Sequence, residues 1–180
     1  MSHEKPWSQL FLKRAAAVRL VVLDVDGVLT DGGLYLDDDN RQSKRFFVRD
    51  GLGIRLLIDA GIAVGLITGR RSKVVEHRAA ELNLSFFHQG VDDKGPQLDA
   101  ELKARGLEAA ACAYMGDDLI DLGVLSRVGL ATAPADAVQE VRDRVHWVAP
   151  HGGGHGAVRA LAEGILSAQG RWAESVERFL

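Results

Sequence analysis

The sequence has a single cysteine, no long apolar run and no large excess of charge, and each absence excludes a class of protein. Cys112 cannot form an internal disulfide, and its apolar surroundings, AAACAYM, are those of a buried strand rather than of an exposed catalytic thiol. No segment approaches the roughly 20 apolar residues that span a bilayer. The N-terminal residues lack the apolar core of a secretory signal, so we expect a cytoplasmic protein with no membrane partner.

The charge is also close to balanced. A formal net charge of −3, without long blocks of like charge, provides no broad positive field for a polyanion, so we expect no nucleic-acid partner. The length of 180 residues suits one domain with a buried core, and no repeat or low-complexity linker divides it. We therefore predict one domain over residues 1–180 that acts on a small molecule.

Short apolar runs alternate with segments of helical periodicity, which is typical of an α/β protein. Because the runs are apolar throughout, we predict strands that are covered on both faces, in a Rossmann-like, doubly wound parallel sheet with helices on both sides. The predicted strands are 18–24, 62–68, 84–89, 111–117 and 128–132, and the predicted helices lie near 51–60, 72–83, 95–105, 118–126, 135–143 and 155–168.

Four further segments have their own patterns. Residues 33–48 read as a protruding β-hairpin around an Asp-Asp-Asn turn at 38–40. An N-terminal helix is predicted within 4–17. Residues 169–180 form a tail with a few large apolar side chains. The Gly-rich stretch 152–154 favours a flexible connection over an anion-binding loop.

Acidic residues follow two of the predicted strands. Asp24 and Asp26 end the first strand, and Asp117, Asp118 and Asp121 follow the fourth. Ligands of open parallel sheets bind beyond the carboxyl ends of the strands, so these carboxylates should meet there. Such a cluster suits Mg²⁺, which prefers oxygen ligands, better than zinc, because the histidines show no metal-binding spacing. The alternative is that these acids only cap helix N-termini.

Two other strand ends carry groups that can bind phosphate. Thr68 closes the second strand and supplies a hydroxyl, and Lys94 opens the helix after the third strand and supplies a positive charge. Taken singly, Thr68 could be a helix cap and Lys94 an exposed lysine. Their order along the chain favours a phosphate site.

The segments DVDGVLT from Asp24, Thr68-Gly69, Lys94 and GDDLID from Gly116 together resemble the four motifs of the haloacid dehalogenase superfamily of phosphatases. This resemblance implies that Asp24 attacks phosphorus, that Asp26 acts as general acid and then base, and that Thr68 and Lys94 hold the phosphate. It also implies Mg²⁺ bound by Asp24, the Asp26 carbonyl and Asp117, with Asp118 and Asp121 in support, and substrate contacts from Gly27 and Gly69.

Neither gap between the first three motifs has room for the large cap domain of many superfamily members. We therefore predict a capless protein with an open site. The hairpin carries Leu34, Leu36, Phe46 and Phe47, and its apolar surface and free edges favour self-association. A homotetramer formed through the hairpin is the leading hypothesis.

More narrowly, the segments FFVRDGLGIRLL, ITGRRSKVVEHRAAELN and GGGHGAVRALAE resemble the 3-deoxy-D-manno-octulosonate 8-phosphate phosphatases, capless enzymes of lipopolysaccharide synthesis. Arg70 follows the Thr-Gly pair, where relatives that act on nonulosonate 9-phosphates tend to carry an acid. A guanidinium there, or at Arg78, would pair with a sugar carboxylate. Nonulosonate phosphates are the alternative substrates.

Two proteins of other classes share parts of this pattern. A signalling receiver domain also has a phospho-accepting Asp, then a Thr or Ser, then a Lys. The presence of Asp26, the acidic cluster after Lys94 and the longer chain argue against it. A non-catalytic assembly module with the same fold is the other alternative, and the presence of every expected catalytic residue disfavours it.

Overall fold

The computed structural model describes residues 7–39 and 41–180, which include eight strands and eight α-helices. The strands are β1 (Leu20–Leu23), β2 (Tyr35–Leu36), β3 (Gln42–Ser43), β4 (Ala63–Thr68), β5 (Phe86–Gln89), β6 (Cys112–Met115), β7 (Leu130–Ala133) and β8 (Trp147–Val148). The helices are α1 (Gln9–Ala15), α2 (Val48–Asp59), α3 (Lys73–Glu81), α4 (Lys94–Arg105), α5 (Leu122–Leu125), α6 (Gln139–Arg142), α7 (Ala157–Ala168) and α8 (Trp172–Glu177).

Six strands form one parallel sheet in the order β5-β4-β1-β6-β7-β8. The chain builds the sheet outward from β1 to β5, and then returns to the other side of β1 for β6. At the carboxyl end of β1, Leu23 is paired with Leu66 of β4 and with Met115 of β6. The predicted doubly wound sheet is confirmed, and its change of direction brings the loops after β1 and β6 together.

The apolar character of the strands follows from the two layers of helices. Val21 and Leu23 of β1 lie in a core with α1, α2, α3 and α7, whereas Leu20 and Val22 lie in a second core with α4 and α5. All four side chains are fully buried, and each stabilises the fold by about 1.5–3 kcal/mol. The sheet that carries the site is therefore rigidly supported from both faces.

The predicted hairpin is present but its strands are short. Tyr35 and Leu36 pair with Ser43 and Gln42, and the carboxylate of Asp37 accepts a hydrogen bond of 2.7 Å from the Arg41 amide. The second strand ends at Ser43, and residues 44–47 connect it to α2, which begins at Val48, so the predicted range of 33–48 was too long. Asn40 of the predicted turn and residues 4–6 of the predicted N-terminal helix lie outside the described residues.

Sequence patterns missed two elements. Strand β8 pairs with β7 at the edge of the sheet, and with only two residues it has too little periodicity to detect. Helix α8 lies in the tail and packs against α7, so this part of the tail folds onto its own chain. The helix predicted at 135–143 is shorter, because only Gln139–Arg142 is helical.

Over residues 7–39 and 41–180, the connections from β1 to β4 and from β4 to β5 contain only the hairpin and single helices. No inserted cap domain is present in this described part of the chain. None of its helices has the length and apolar character that crossing a bilayer requires.

Candidate active site

Three carboxylates meet at the carboxyl ends of β1 and β6. One oxygen each from Asp24, Asp117 and Asp121 lies within 4.8 Å of the other two. Asp24 Oδ1 and Asp117 Oδ1 are buried and have no hydrogen-bond partner among the described residues. Buried carboxylate oxygens are normally paired, so two unpaired ones on neighbouring residues of one cluster fit a hard divalent cation such as Mg²⁺.

Lys94 provides the positive charge beneath this cluster. Its ammonium lies 3.0 Å from Asp24 Oδ2 and 2.7 Å from Asp121 Oδ1, and its side chain is 1% exposed. Helix α4 holds it there, since Lys94 is the first helical residue and the preceding Asp93 caps the helix by accepting a hydrogen bond from the Gly95 amide. Lys94 is therefore a fixed, buried cation rather than a solvated surface residue.

Asp121 organises the loop after β6. Its Oδ1 accepts hydrogen bonds from Lys94 and from the Tyr114 hydroxyl, each 2.7 Å long, and its Oδ2 accepts one of 3.0 Å from the Asp117 amide. Asp118 and Asp121 also form a capping box at the start of the following turn. Both of its oxygens are thus already engaged, which fits a supporting role beside the more open Asp24 and Asp117.

Burial and mutual repulsion disfavour negative charge in this cluster. Desolvation, with repulsion from Asp24, Asp121 and Asp118, raises the pKa of Asp117 to about 8. Desolvation also raises the pKa of Asp24 to about 6, although the Lys94 ammonium opposes this shift. A bound divalent cation would favour the ionised form of both acids, so the electrostatics of the cluster agree with a metal site.

Gly27 allows the loop after β1 to approach Asp117. Its φ of +84° favours glycine, and a Cβ atom there would lie 2.0 Å from Asp117 Oδ2. The close approach leaves no room for a side chain. The glycine of the first motif is thus required by both its backbone conformation and its contact with a metal-site carboxylate.

Asp26 lies at the edge of the cluster and faces two cations. Its Oδ1 forms an ion pair with Lys44, which follows β3, and its Oδ2 is 3.8 Å from Arg70 Nε. The Lys44 side chain is 1% exposed, whereas that of Arg70 is 54% exposed. Asp26 is therefore held on one side by a lysine with a buried side chain and lies near the exposed guanidinium of Arg70 on the other.

A cavity of 230 Å³ opens over these residues. The structure brings most of the predicted site residues to its walls, and Lys94 and Asp121 lie beneath them. The lining residues are Asp24, Asp26, Gly27, Gly32, Thr68, Gly69, Arg70, Asp117, Asp118 and Ile120.

Arg78 is not brought to this cavity. Its guanidinium lies over the Phe46 ring, 5.6 Å from the ring centroid, and forms a 2.8 Å ion pair with Glu81. Its side chain is largely buried against Gly51. Of the two arginines predicted for substrate binding, only Arg70 lies beside Asp26 in this cavity within one chain.

A larger cavity of 450 Å³ lies elsewhere, beside the N-terminus of α7. Its walls include Arg49, His151, His155 and Arg159, and none of the aspartates of the metal cluster. Cavity volume therefore does not identify the site, but the unpaired carboxylates and the buried lysine identify the smaller cavity as the candidate active site.

The Gly-rich stretch is neither a flexible linker nor an anion-binding loop. The Gly153 amide donates to Asp136 Oδ1 and the Gly154 amide donates to the Val28 carbonyl, each at 2.9 Å. A Cβ atom on Gly153 would lie 1.9 Å from the Gly27 carbonyl oxygen. These glycines pack backbone against backbone beneath the loop after β1, so the flexible connection predicted from sequence was wrong.

Sequence reasoning missed Tyr114 and Lys44. Tyr114 lies within an apolar strand, where its hydroxyl gives no sign of pointing at Asp121. Lys44 lies in the hairpin among other charged residues, and only the folded chain shows that its ammonium meets Asp26. The position of the hairpin beside the end of a strand depends on tertiary structure, so local sequence patterns do not predict it.

Comparison with known proteins agrees with this geometry. No family model matches the sequence. A curated 3-deoxy-D-manno-octulosonate 8-phosphate phosphatase, KdsC of Yersinia pestis, is 44% identical over 158 residues, which are 88% of this chain and 84% of that protein. The Escherichia coli K12 KdsC is 41% identical over 170 residues, 94% of this chain and 90% of the relative. The chain belongs to the KdsC family of phosphatases.

A solved KdsC relative has the same fold. The Moraxella catarrhalis phosphatase, crystallised with a magnesium ion, a phosphate ion and KDO, superimposes with a TM-score of 0.92 at 36% identity and covers 94% of this chain and 98% of that one. Haloacid dehalogenase hydrolases of subfamily III A are also among the structural relatives. The predicted superfamily, fold and class of enzyme, a phosphoric monoester hydrolase, are confirmed, and the magnesium of the relative agrees with the predicted cofactor.

Proposed function

We propose that this KdsC-family chain hydrolyses 3-deoxy-D-manno-octulosonate 8-phosphate, in a Mg²⁺-dependent reaction that proceeds through an aspartyl phosphate on Asp24. The observation that carries the proposal is the position of Asp24, which lies beside the unpaired oxygen of Asp117 and in contact with Lys94 at the base of an open cavity. The magnesium, phosphate and KDO of the Moraxella relative support the same ligands here.

The reaction needs two displacements. In the first, a carboxylate oxygen of Asp24 forms a bond to phosphorus while the bond from phosphorus to the sugar oxygen breaks, and Asp26 gives a proton to that oxygen. In the second, Asp26 takes a proton from water, whose oxygen bonds to phosphorus and releases inorganic phosphate from Asp24. One neighbouring acid thus serves both steps, because donation in the first leaves it ready to accept in the second.

The other site residues bind the phosphate and the ion. Two of the three N–H donors of Lys94 are directed at Asp24 and Asp121, and we assign the third, with the Thr68 hydroxyl, to phosphate oxygens. Asp24, Asp117 and the Asp26 carbonyl would hold the Mg²⁺, with Asp118 and Asp121 in support. The ion supplies neutralisation of phosphate charge, which lets an anionic carboxylate approach an anionic ester.

We assign the sugar carboxylate to Arg70. Its guanidinium is half-exposed at the mouth of the cavity and lies beyond hydrogen-bond distance of Asp26, so it is free to form a bidentate pair with an incoming carboxylate. Arg78 has other partners. Nonulosonate 9-phosphates, which are also sugar acids, stay the alternative substrates. A role in lipopolysaccharide synthesis stays a prediction of the sequence resemblance, and a cytoplasmic location stays a prediction from the pattern of apolar residues.

We also propose a homotetramer formed through the hairpin. Leu34, Tyr35 and Leu36 are each about half-exposed, and the neighbouring Val48 is 80% exposed. A row of large apolar side chains with free strand edges favours pairing with another copy. Light scattering at micromolar concentration tests this proposal, and a monomer would contradict it.

A phosphate-release panel tests the proposed function. Octulosonate 8-phosphate, a nonulosonate 9-phosphate and neutral hexose phosphates would be compared with Mg²⁺ and with EDTA. We expect the highest kcat/KM for octulosonate 8-phosphate and no turnover in EDTA. Equal rates on the two sugar acids would contradict the substrate assignment, and turnover in EDTA would contradict the proposed requirement for Mg²⁺.

A further inference from the structure

Lys44 is a partly buried residue whose side chain is enclosed, and its only charged partner among the described residues is Asp26. Its side chain is 1% exposed, although Ser43 and Arg45 on either side of it are exposed to solvent. Lysine is almost never buried without a paired carboxylate, because removing an ammonium from water is costly. The hairpin thus places one cation inside the molecule, in contact with the acid beside the nucleophile.

The ion pair engages one particular oxygen of Asp26. Lys44 Nζ contacts Oδ1, and the nearest cation to Oδ2 is Arg70 Nε at 3.8 Å. Since a hydrogen bond between these atoms needs about 2.7–3.2 Å, Arg70 does not occupy Oδ2. One carboxylate oxygen is held by the hairpin, and the other stays available on the cavity side, where Asp26 is among the lining residues.

We propose that Lys44 is a positioning residue, which fixes Asp26 Oδ1 so that Oδ2 faces the oxygen of the leaving group. The proposal rests on the proposed function of Asp26 as general acid. In the first displacement the proton moves from Oδ2 to the sugar oxygen as its bond to phosphorus breaks. Lys44 itself transfers no proton and touches no reacting atom; it limits rotation of the Asp26 carboxyl group, which would otherwise swing away from the substrate.

The leaving group distinguishes this role from a merely structural one. An alkoxide leaves poorly and needs a proton from the acid, whereas p-nitrophenolate leaves as a stable anion and needs none. Loss of Asp26 orientation should therefore slow the first displacement for a sugar phosphate much more than for p-nitrophenyl phosphate. Collapse of the fold or of the metal site would slow both substrates equally.

The experiment compares Lys44→Met, Lys44→Arg and Asp26→Asn in single-turnover release of the leaving group, with saturating Mg²⁺. Because this release precedes hydrolysis of the aspartyl phosphate, it reports the first displacement alone. We expect Lys44→Met to slow the sugar phosphate by about 100-fold and p-nitrophenyl phosphate by less than about threefold. Asp26→Asn should also slow the sugar phosphate much more than p-nitrophenyl phosphate. Lys44→Arg, which keeps the charge, should react with the sugar phosphate at least about tenfold faster than Lys44→Met.

Arg45→Met is the matched control. Arg45 neighbours Lys44 in the chain but points to solvent, where it contacts His155, so its loss should leave both rates unchanged. Equal slowing of the two substrates by Lys44→Met, or rates like those of the native enzyme, would overturn the positioning role. Asp26→Asn distinguishes failure of the positioning role from failure of the proposed function. If this variant slowed the sugar phosphate and p-nitrophenyl phosphate equally, the role of Asp26 as general acid would be refuted.

Discussion

The buried hydroxyl of Tyr114 donates a 2.7 Å hydrogen bond to Asp121 Oδ1, and it links the middle of β6 to the loop that carries the metal-site acids. The negative charge of Asp121 is part of the reason that the pKa of Tyr114 lies well above its usual value, after burial itself. The hydroxyl is therefore a permanent donor to Asp121. A core residue of the sheet thereby helps to fix the carboxylate that holds both Lys94 and the Asp117 backbone.

Removing this hydroxyl should lower stability without abolishing activity. We expect Tyr114→Phe to cost about 1 kcal/mol in the free energy of unfolding, because a buried donor is lost while Asp121 keeps its other partners. Urea denaturation of the Mg²⁺-bound protein measures this change. Ser126→Ala is the control, since the Ser126 hydroxyl donates its hydrogen bond to the Gly123 carbonyl on an exposed surface, and its loss should be nearly neutral.

Replacing the nucleophile should abolish turnover and leave the fold intact. We expect Asp24→Asn to reduce phosphate release at least ~1000-fold, because an amide cannot form the covalent intermediate. Acid quenching with a radiolabelled substrate should trap labelled protein in the native enzyme and none in the variant. Asp92→Asn, which changes an exposed acid before α4, should retain native rates. A labelled, active Asp24→Asn enzyme would refute the assignment.

The Gly27 contact predicts a specific loss of metal binding. In Gly27→Ala the new methyl group must displace the Asp117 carboxylate, so we expect Mg²⁺ affinity to fall by at least ~10-fold, measured by calorimetric titration. Gly61→Ala is a close control. Gly61 has a similar φ of +75°, but no atom lies within 4 Å of the position of its Cβ, so it shares the backbone strain without the clash. Equal Mg²⁺ affinity in the two variants would contradict the prediction.

Stability of the metal-free protein should depend on pH through Asp24 and Asp117. Both acids ionise near pH 3.8 when unfolded, but their pKa values in the folded protein are about 6 and about 8. Between about pH 4 and pH 8 the folded state thus holds more protons, and stability in EDTA should fall as pH rises. Above about pH 8 this contribution should be constant.

Magnesium should reverse this dependence, because the ion binds only the ionised acids and releases their protons. Urea denaturation from pH 5 to pH 9, with EDTA or with Mg²⁺, measures both curves, and the stabilisation by Mg²⁺ should grow with pH. Asp117→Asn should flatten the EDTA curve above about pH 6, where Asp117 alone still titrates. An EDTA curve that rises through this window would contradict the inferred burial of charge.

Arg70 should control the choice of substrate rather than the chemistry. We expect Arg70→Met to raise KM for octulosonate 8-phosphate by about 10- to 100-fold, since a charge-assisted pair is lost, and to leave kcat/KM for p-nitrophenyl phosphate within about threefold. Arg55→Met, on the exposed side of α2, is the control. A parallel loss for both substrates would place Arg70 in phosphate binding instead.

Much of this molecule could be predicted from its sequence because the relevant signals are local. Continuous apolar runs predicted β1, β4, β6 and β7 to within a few residues. The acids after β1 and β6 lie close together because these two strands are neighbours in the sheet. Helix α4 begins at Lys94, as the pattern indicated.

The errors and omissions share a different physical cause. Strand β8 has two residues and depends on pairing with β7, and helix α8 depends on packing against α7. The partner of Lys44 depends on where the hairpin docks, and the position of Arg78 outside the cavity depends on its contact with the Phe46 ring. Each of these outcomes is decided by contacts between segments that are distant in the chain.

The packing of Gly153 and Gly154 beneath Gly27 and Val28 has a consequence for how the protein is made. As the ribosome synthesises the chain, strand β1 and Asp24 emerge early, but the segment that supports the following loop emerges only after β8. A nascent chain halted before that point would carry all four sequence motifs and still lack a finished catalytic loop. The loop after β1 can therefore reach its final packing only after residues 153–154 have been made.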